Sequence, residues 1–167
     1  MVALKLYKTH PEIILPTFAT DQAACFDLSY QGHGKHEYKG YNDTNRPFTR
    51  PTPNGTLFIN SHERILVPTG IIMDIPKGYS VRIHARSGLS LKEGLILANS
   101  EAVIDSDYVD EIFVLIYNRS TIGRTISIGE RIAQAELVKS VLYKIEETKD
   151  RPSTKTNRTG GLGSTGV

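Results

Sequence analysis

The stretch "RILVPTGIIMDIPKGYSVRIHA", residues 64–85, decides the fold class. Two runs rich in β-branched residues, 64–75 and 79–85, flank a short segment that contains Pro76 and Gly78. Short β-branched runs bounded by Pro and Gly are typical of consecutive β-strands joined by a turn. The stretch therefore predicts two consecutive strands with a turn between them.

The same signals recur along the rest of the chain. Short β-branched or aromatic segments, separated by Pro, Gly and Asn, occupy residues 4–8, 56–60, 111–118 and 125–128. This spacing of strands, without alternating helices, predicts an all-β barrel or sandwich. Only residues 87–97 favour a short helix, which we expect to end near Gly94.

Composition restricts the classes of function. A chain of 167 residues suits one domain, and its net charge of +2 is too small to indicate nucleic acid or a membrane surface as a partner. Cys25 is the only cysteine, which excludes an internal disulfide and a cysteine zinc site. The N-terminus lacks a signal-peptide core, and no apolar run approaches the ~20 residues of a membrane span. We therefore expect a soluble, intracellular, cytoplasmic protein.

Two polar segments interrupt the strand pattern. Residues 31–55 exceed the ~12–15 residues usual for a structureless loop, so they form either an excursion or a small surface hairpin. Residues 146–159 are polar and typical of a mobile tether. We therefore expect a β-barrel domain over 1–145 that carries a surface insertion at 31–55. A tether and a glycine-rich arm should follow over 146–167.

The segment "HARSGLS", residues 84–90, has groups that suit an anion. Arg86 presents a fork of donors that matches phosphate, and Ser87 and Gly88 open the predicted helix, whose N-terminus favours negative charge. The alternative is a surface turn with a solvated arginine.

Two further segments carry isolated polar groups among apolar ones. In "GERIAQ", residues 129–134, Gln134 either donates to a phosphate oxygen or belongs to a salt-bridged strand edge. Strand alternation places Arg131 on the opposite face from Gln134. In "AACFDLSY", residues 23–30, Asp27 either caps a turn or takes a catalytic role.

The chain ends in "GGLGSTGV", residues 160–167. Its glycines allow the backbone to approach a ligand closely, so that successive N–H groups can converge on an anion. Ser164 and Thr165 add hydroxyl donors. The alternative is a flexible terminus without a ligand.

In "AVIDSDY", residues 102–108, an apolar run leads into acids and a tyrosine. In an extended chain Asp105 and Asp107 point the same way, opposite to the preceding apolar side chain. A carboxylate in a partly dry cleft is suited to act as a general base on water. Tyr108 could pack on a sugar, and a turn at 99–101 predicts a hairpin whose backbone reads a planar base edge. The alternative is a strand that ends in a hydrophilic loop.

Five segments, in this order, resemble the five motifs of the trimeric dUTPase family. They are "AACFDL" (23–28), "ARSGLS" (85–90), "AVIDSDY" (102–108), "GERIAQ" (129–134) and "GGLGSTG" (160–166). The resemblance implies a jelly-roll-like β-barrel and a homotrimer with three sites at subunit interfaces. It also implies hydrolysis of dUTP to dUMP and pyrophosphate, with Mg²⁺ as the cofactor.

The resemblance also implies roles for single residues. Asp105 matches the acid that activates the water attacking the α-phosphorus, and Tyr108 matches the tyrosine that packs under deoxyribose and excludes a 2′-hydroxyl. Asp27 matches an acid that reaches Mg²⁺ through water. The uracil contacts match Asn99 and the backbone of Val103, Ile104 and Asp105, and the phosphate contacts match Arg86, Ser87, Gly88 and Gln134.

The C-terminal motif resembles the arm that closes over the nucleotide, and here the sequence departs from the family. Leu162 stands where an aromatic residue stacks on uracil. The family's arm arginine lies five residues before that aromatic, whereas Arg158 lies four before Leu162 and Asn157 stands at the expected distance. The predicted arm contacts are Arg158, Leu162, Gly163, Ser164 and Thr165.

There are two alternative functions, and the sequence argues against the first. A dCTP deaminase shares the fold, but its chemistry needs a glutamate in the strand after the acidic motif, and residues 112–118 carry no acid. The second is a catalytically weak dUTPase-like binding or regulatory module. The insertion 31–55, as a surface for a protein partner, and the altered arm favour it.

Overall fold

The computed structural model describes residues 2–157. The described chain contains twelve strands, one α-helix and one 3-10 turn at Pro53–Gly55. The strands and helix are β1 (Lys5–Lys8), β2 (Phe26–Ser29), β3 (Glu37–Tyr41), β4 (Pro47–Pro51), β5 (Thr56–Ile59), β6 (Arg64–Asp74), β7 (Tyr79–Ala85), α1 (Ser87–Glu93), β8 (Leu95–Leu97), β9 (Ala102–Ile104), β10 (Glu111–Asn118), β11 (Arg124–Ser127) and β12 (Arg131–Lys139).

The strands form three antiparallel sheets. The largest has the order β4-β3-β6-β10-β8, with β1 also paired to β6; the second has the order β2-β12-β7-β9; and β11 pairs with β5. The all-β class is confirmed. Each predicted strand matches an observed one, at 4–8, 56–60, 64–75, 79–85, 111–118 and 125–128.

The core lies between the sheets because each strand turns alternate residues inward. On β10 the buried residues are Ile112, Val114, Ile116 and Asn118, and the residues between them are more exposed. Opposing apolar side chains come from the second sheet, among them Leu28, Ile83 and Ile132. Removal of this apolar surface from water provides the main free energy of folding.

Helix α1, Ser87–Glu93, lies within the segment 87–97 that favoured a short helix. It ends at Glu93 because Gly94 adopts a left-handed conformation, with φ of 69°, and donates its N–H to the Leu89 carbonyl. Leu95 and Leu97 are then buried as part of β8. The predicted end of the helix near Gly94 is confirmed, and residues 95–97 alternate into the core as a strand.

Residues 31–55 contain a hairpin, the second of the two predicted alternatives. Strands β3 and β4 pair from Glu37 opposite Pro51 to Tyr41 opposite Pro47. The end of β3 also pairs with the start of β6, so the hairpin extends the large sheet. Arg50 on β4 reaches back to Glu63, which is 4% exposed, through two hydrogen bonds of 2.6 Å.

The predicted hairpin around residues 99–101 does not form as a pair of neighbouring strands. A turn is present, in which Ser100 has φ of 64° and donates its N–H to the Leu97 carbonyl. However, β8 pairs with β10 and β9 pairs with β7. The turn therefore carries the chain from the large sheet to the second sheet, because each short strand finds its ladder partner elsewhere.

Candidate active site

Four polar side chains from three segments form a group that we call the arginine cluster: Asp27, Arg86, Arg131 and Gln134. Asp27 on β2 lies directly opposite Gln134 on β12. Its two carboxylate oxygens contact Arg86 Nε at 3.0 Å and Arg131 Nη1 at 2.9 Å. Asp27 is the only acid in contact with the two guanidinium groups among the described residues, so the cluster retains positive charge and suits an anion.

Arg131 reaches this cluster because of a β-bulge. The pairing of β12 with β2 shifts register between Arg131 and Ala133, and both Ile132 and Ala133 are buried. A bulge inserts one residue and so breaks strict alternation. The predicted placement of Arg131 on the face opposite Gln134 is therefore wrong. Sequence analysis missed Arg131 as a site residue for the same reason.

Backbone carbonyls orient the other two donors. Arg86 Nη1 donates to the Arg131 carbonyl at 3.1 Å, and Gln134 Nε2 donates to the Ala85 carbonyl at 3.0 Å. Each side chain keeps further N–H groups that can donate to a ligand. Ser87 and Gly88 are exposed in the first turn of α1, directly after Arg86. The four residues of this predicted phosphate group, Arg86, Ser87, Gly88 and Gln134, thus lie at one end of β7.

A cavity of about 200 Å³ adjoins the arginine cluster. Asp27 and Arg131 form part of its lining, and the loop that follows β1 contributes residues 14–17 and Ala19. We call it the loop cavity. It places an apolar wall beside the charged groups.

The residues after β9 form a second polar group, the acidic turn, residues 105–108. The Tyr108 N–H donates to the Asp105 carbonyl at 3.2 Å, and the Tyr108 hydroxyl donates to the Glu111 carbonyl at 3.0 Å. The Tyr108 side chain is nevertheless 40% exposed, and Asp105 and Asp107 are exposed. The partly dry cleft predicted around Asp105 is not present in the described chain by itself.

Strand β9 offers free backbone groups beside the acidic turn. It is the last strand of the second sheet, and within residues 2–157 only β7 pairs with it. An edge strand has unpaired N–H and C=O groups along its outer side. Val103 is 46% exposed on this strand, and Asn99 is exposed in the preceding turn. This edge can hydrogen-bond a planar ligand.

The arginine cluster and the acidic turn lie far apart in one chain. Ile104 pairs with Val81 near the start of β7, and Asp105 continues away from there. Arg86 follows the other end of β7. At ~3.3 Å per residue, Asp105 and Arg86 are separated by about 20 Å along the strand.

Five predicted ligand contacts lie outside the described residues, which end at Asn157. They are Arg158, Leu162, Gly163, Ser164 and Thr165, and their roles stay predictions. Among the helices of residues 2–157, none is long and apolar enough to cross a membrane.

Comparisons with known proteins identify the family of the chain. A family model described as dUTPase matches residues 54–166. A deoxyuridine 5'-triphosphate nucleotidohydrolase of Nautilia profundicola is 36% identical over 163 residues, which cover 98% of each chain. One of Treponema pallidum is 38% identical over 139 residues, covering 83% of this chain and 94% of the relative.

Solved structures share the fold. A dUTPase crystal structure from Streptococcus mutans superposes with a TM-score of 0.64 at 25% identity, covering 86% of this chain and 99% of that one. A variant of the Staphylococcus bacteriophage 80alpha dUTPase, determined with dUpNHpp, superposes with a TM-score of 0.78 at 18% identity over the whole of both chains.

Proposed function

Since the chain belongs to the dUTPase family and is a dUTP diphosphatase, we propose that each of its active sites is built by more than one subunit. The carrying observation is the register of β9 on β7, which puts Asp105 and Arg86 about 20 Å apart at ~3.3 Å per residue. A base acting at the α-phosphorus and an arginine bound to the adjoining phosphates must reach the same triphosphate. One chain cannot supply both groups to one nucleotide, whereas two neighbouring chains can.

The segment after β12 supports a homotrimer. Residues 141–145 leave the barrel without regular structure. Four of their side chains are between 79% and 91% exposed: Val141, Leu142, Tyr143 and Ile145. A contiguous apolar segment of this kind marks an interaction surface. We place it against a neighbouring subunit, in a trimer that brings the acidic turn of one chain to the arginine cluster of another.

In the proposed mechanism Asp105 takes the proton of the water that attacks the α-phosphorus, giving dUMP and pyrophosphate. Phosphoryl transfer depends on positioning and on stabilisation of charge more than on covalent catalysis. Arg86, Arg131 and Gln134 donate to the phosphate oxygens. The exposed Asp105 becomes enclosed when the neighbouring subunit and the nucleotide cover the acidic turn.

The residues fit Mg²⁺ as the cofactor. Mg²⁺ keeps several waters and is usually held by one or two carboxylates together with substrate phosphates. Asp27 is the one carboxylate of the arginine cluster, and both of its oxygens already contact guanidinium groups. It therefore suits a water-mediated contact rather than a direct ligand. When bound, Mg²⁺ would neutralise charge on the triphosphate.

Selectivity follows from the edge of β9 and from Tyr108. Uracil presents an acceptor, a donor and an acceptor along its pairing edge, and cytosine reverses two of these. The backbone groups of residues 103–105 that hydrogen-bond uracil would be left without partners by cytosine. Because unpaired buried polar groups are costly, the site should strongly prefer uracil over cytosine. The exposed Tyr108 ring packs under deoxyribose and leaves no room for a 2′-hydroxyl.

The remaining parts complete the proposal. Residues 146–167 act as a tether and an arm that closes over the bound nucleotide, and the hairpin within 31–55 offers a surface for a protein partner. The cytoplasmic location stays a prediction.

Pyrophosphate release from dUTP, measured with Mg²⁺ and with a chelator, tests the proposal. We expect Mg²⁺-dependent release from dUTP and little from dCTP or UTP. Undetectable release from every nucleotide would instead favour the binding-module alternative.

A further inference from the structure

Three side chains from two loops converge outside the residues proposed for hydrolysis. They are His10, Glu12 and His33, and one ligand atom from each lies within 4.8 Å of the others. Glu12 Oε2 lies 3.7 Å from His10 Nδ1 and 3.5 Å from His33 Nδ1. In a tetrahedral zinc site with Zn–N distances of ~2.0–2.1 Å, neighbouring ligand atoms are roughly 3.3 Å apart. The two distances from Glu12 Oε2 therefore lie close to the spacing that zinc requires, and the two histidine nitrogens lie within 4.8 Å of each other.

A buried residue fixes the orientation of the His33 ring. His33 Nε2 lies 3.2 Å from Gln31 Oε1, an oxygen that can only accept, so the ring N–H is at Nε2. In the neutral ring Nδ1 then carries the lone pair, and Glu12 Oε2 lies 3.5 Å from this nitrogen. Gln31 is 3% exposed and donates its backbone N–H to the Pro68 carbonyl. Histidine ligands of metals are oriented in this way by a hydrogen bond from their second nitrogen.

His10 also presents a lone pair. The Glu12 backbone N–H donates to His10 Nδ1 over 3.3 Å, so that nitrogen is unprotonated. The bond is long, and a metal ion would replace it. The His10 and His33 rings are nearly parallel, with centroids 5.7 Å apart, and the side chain of His10 is 39% exposed. Coordination of one ion by a nitrogen of each ring would require the exposed His10 ring to rotate.

The loop that carries His10 and Glu12 is held in place without a metal. The Thr9 N–H donates to the Gly70 carbonyl at 2.9 Å, and Ile13 is 2% exposed. Gly70 has φ of 68°, and a Cβ there would lie 2.2 Å from Ile13 Cδ1, so glycine permits this close packing. Because both ends of the segment 9–13 are anchored, metal binding costs little ordering of the backbone.

We propose that His10, Glu12 and His33 bind one divalent transition-metal ion of the zinc class, with water as the fourth ligand. Two imidazoles and one carboxylate suit Zn²⁺ and related ions, whereas Mg²⁺ prefers oxygen ligands. The ion joins the loop after β1 to the loop that enters the β3–β4 hairpin. The first of these loops continues into the wall of the loop cavity beside Asp27. The ion therefore has a structural role, separate from the Mg²⁺ of the nucleotide.

Calorimetric titration of the chelator-stripped full chain with Zn²⁺, in excess Mg²⁺ and without nucleotide, tests the site. We expect one Zn²⁺ per chain and a Zn²⁺-dependent rise in the thermal unfolding midpoint. Gln31→Leu should bind roughly 10–100-fold more weakly, because the His33 ring loses its orienting partner. Glu12→Gln and His33→Gln should weaken binding at least as much. His36→Gln is the matched control, because His36 lies on the same loop but outside the cluster, and it should bind as the wild type does.

Unfolding midpoints measured without metal verify that each variant folds. The proposal is overturned if the wild type takes up no Zn²⁺, or if His33→Gln binds as tightly as His36→Gln. In the second case the ion occupies another site, and the three side chains form only an ion-paired cluster.

Discussion

The Arg131 guanidinium lies 2.9 Å from the Asp27 carboxylate, across a β-bulge that turns this arginine towards Arg86. The finding adds a second cation to the arginine cluster, which we propose binds the phosphates. We expect Arg131→Gln to lower kcat/KM for dUTP by roughly 10–100-fold, since a hydrogen bond to a charged group contributes about 1.5–3 kcal/mol. Steady-state kinetics measure this. Arg119→Gln, at an exposed arginine away from the cluster, should change nothing, and an equal loss in both variants would contradict a specific role.

Asp105 is proposed as the base, and the neighbouring Asp107 provides a matched control. Asp105→Asn should bind a non-hydrolysable dUTP analogue normally but lose about 10²–10⁴-fold in kcat, the usual contribution of a general base. Asp107→Asn, at a second exposed acid in the same turn, should retain most of its turnover. Near-normal kcat in Asp105→Asn would rule out the assignment.

Tyr108 is proposed to exclude ribonucleotides through the bulk of its ring. Tyr108→Ala should lower the ratio of kcat/KM for dUTP to that for UTP, whereas Tyr108→Phe keeps the ring and should preserve the ratio. Competition kinetics with both nucleotides give the comparison. An unchanged ratio in the alanine variant would show that another residue excludes the 2′-hydroxyl.

We expect the Arg50–Glu63 ion pair to stabilise the hairpin within 31–55. Burial raises the pKa of Glu63, but hydrogen bonds from Arg50 and Asn60 outweigh this and hold the pKa below its usual value of 4.5. A lowered pKa in the folded state stabilises the protein above the unfolded value, and this contribution is lost as the pH falls through the folded value.

We therefore expect Glu63→Gln to reduce the free energy of unfolding by about 3 kcal/mol at neutral pH, as for loss of one partner of a buried pair. The difference in the free energy of unfolding between the variant and the wild type should become smaller below about pH 4. Unfolding curves at neutral pH and below pH 4 measure this difference, and Glu37→Gln, at an exposed position of β3, is the control. A difference that stays constant with pH would show that the carboxylate charge of Glu63 is not responsible.

The sequence was sufficient for the fold class because alternation and turn residues are local signals. The strand over 79–85 and the helix end at Gly94 follow directly from them. The bulge at Arg131 could not be predicted, since strict alternation assigns every strand residue to a face. The passage of the chain from one sheet to another at the turn 99–101 could not be predicted either, because the pairing partner of a short strand depends on distant segments.

The motifs proposed residues for the candidate site, but they missed Arg131 and did not give the arrangement of the site. The motifs contain Asp27, Arg86 and Asp105, but a sequence motif does not give the distances between its residues in the fold. The structure shows that Arg86 contacts Asp27. The register of β9 on β7 shows that Asp105 lies at the opposite end of β7 from Arg86.

The central proposal, that two subunits build each site, is tested most directly by mixing two inactive variants. Asp105→Asn lacks the base and Arg86→Gln lacks a phosphate donor, so each alone should show little hydrolysis. In exchanged trimers the intact Asp105 of one chain can meet the intact Arg86 of another. Random exchange in a closed ring gives such a pair at about one site in four, so we expect about a quarter of the wild-type activity to return. If labelled subunits demonstrably exchange and no activity returns, both residues serve the same site from one chain, and the proposal of a shared site is wrong.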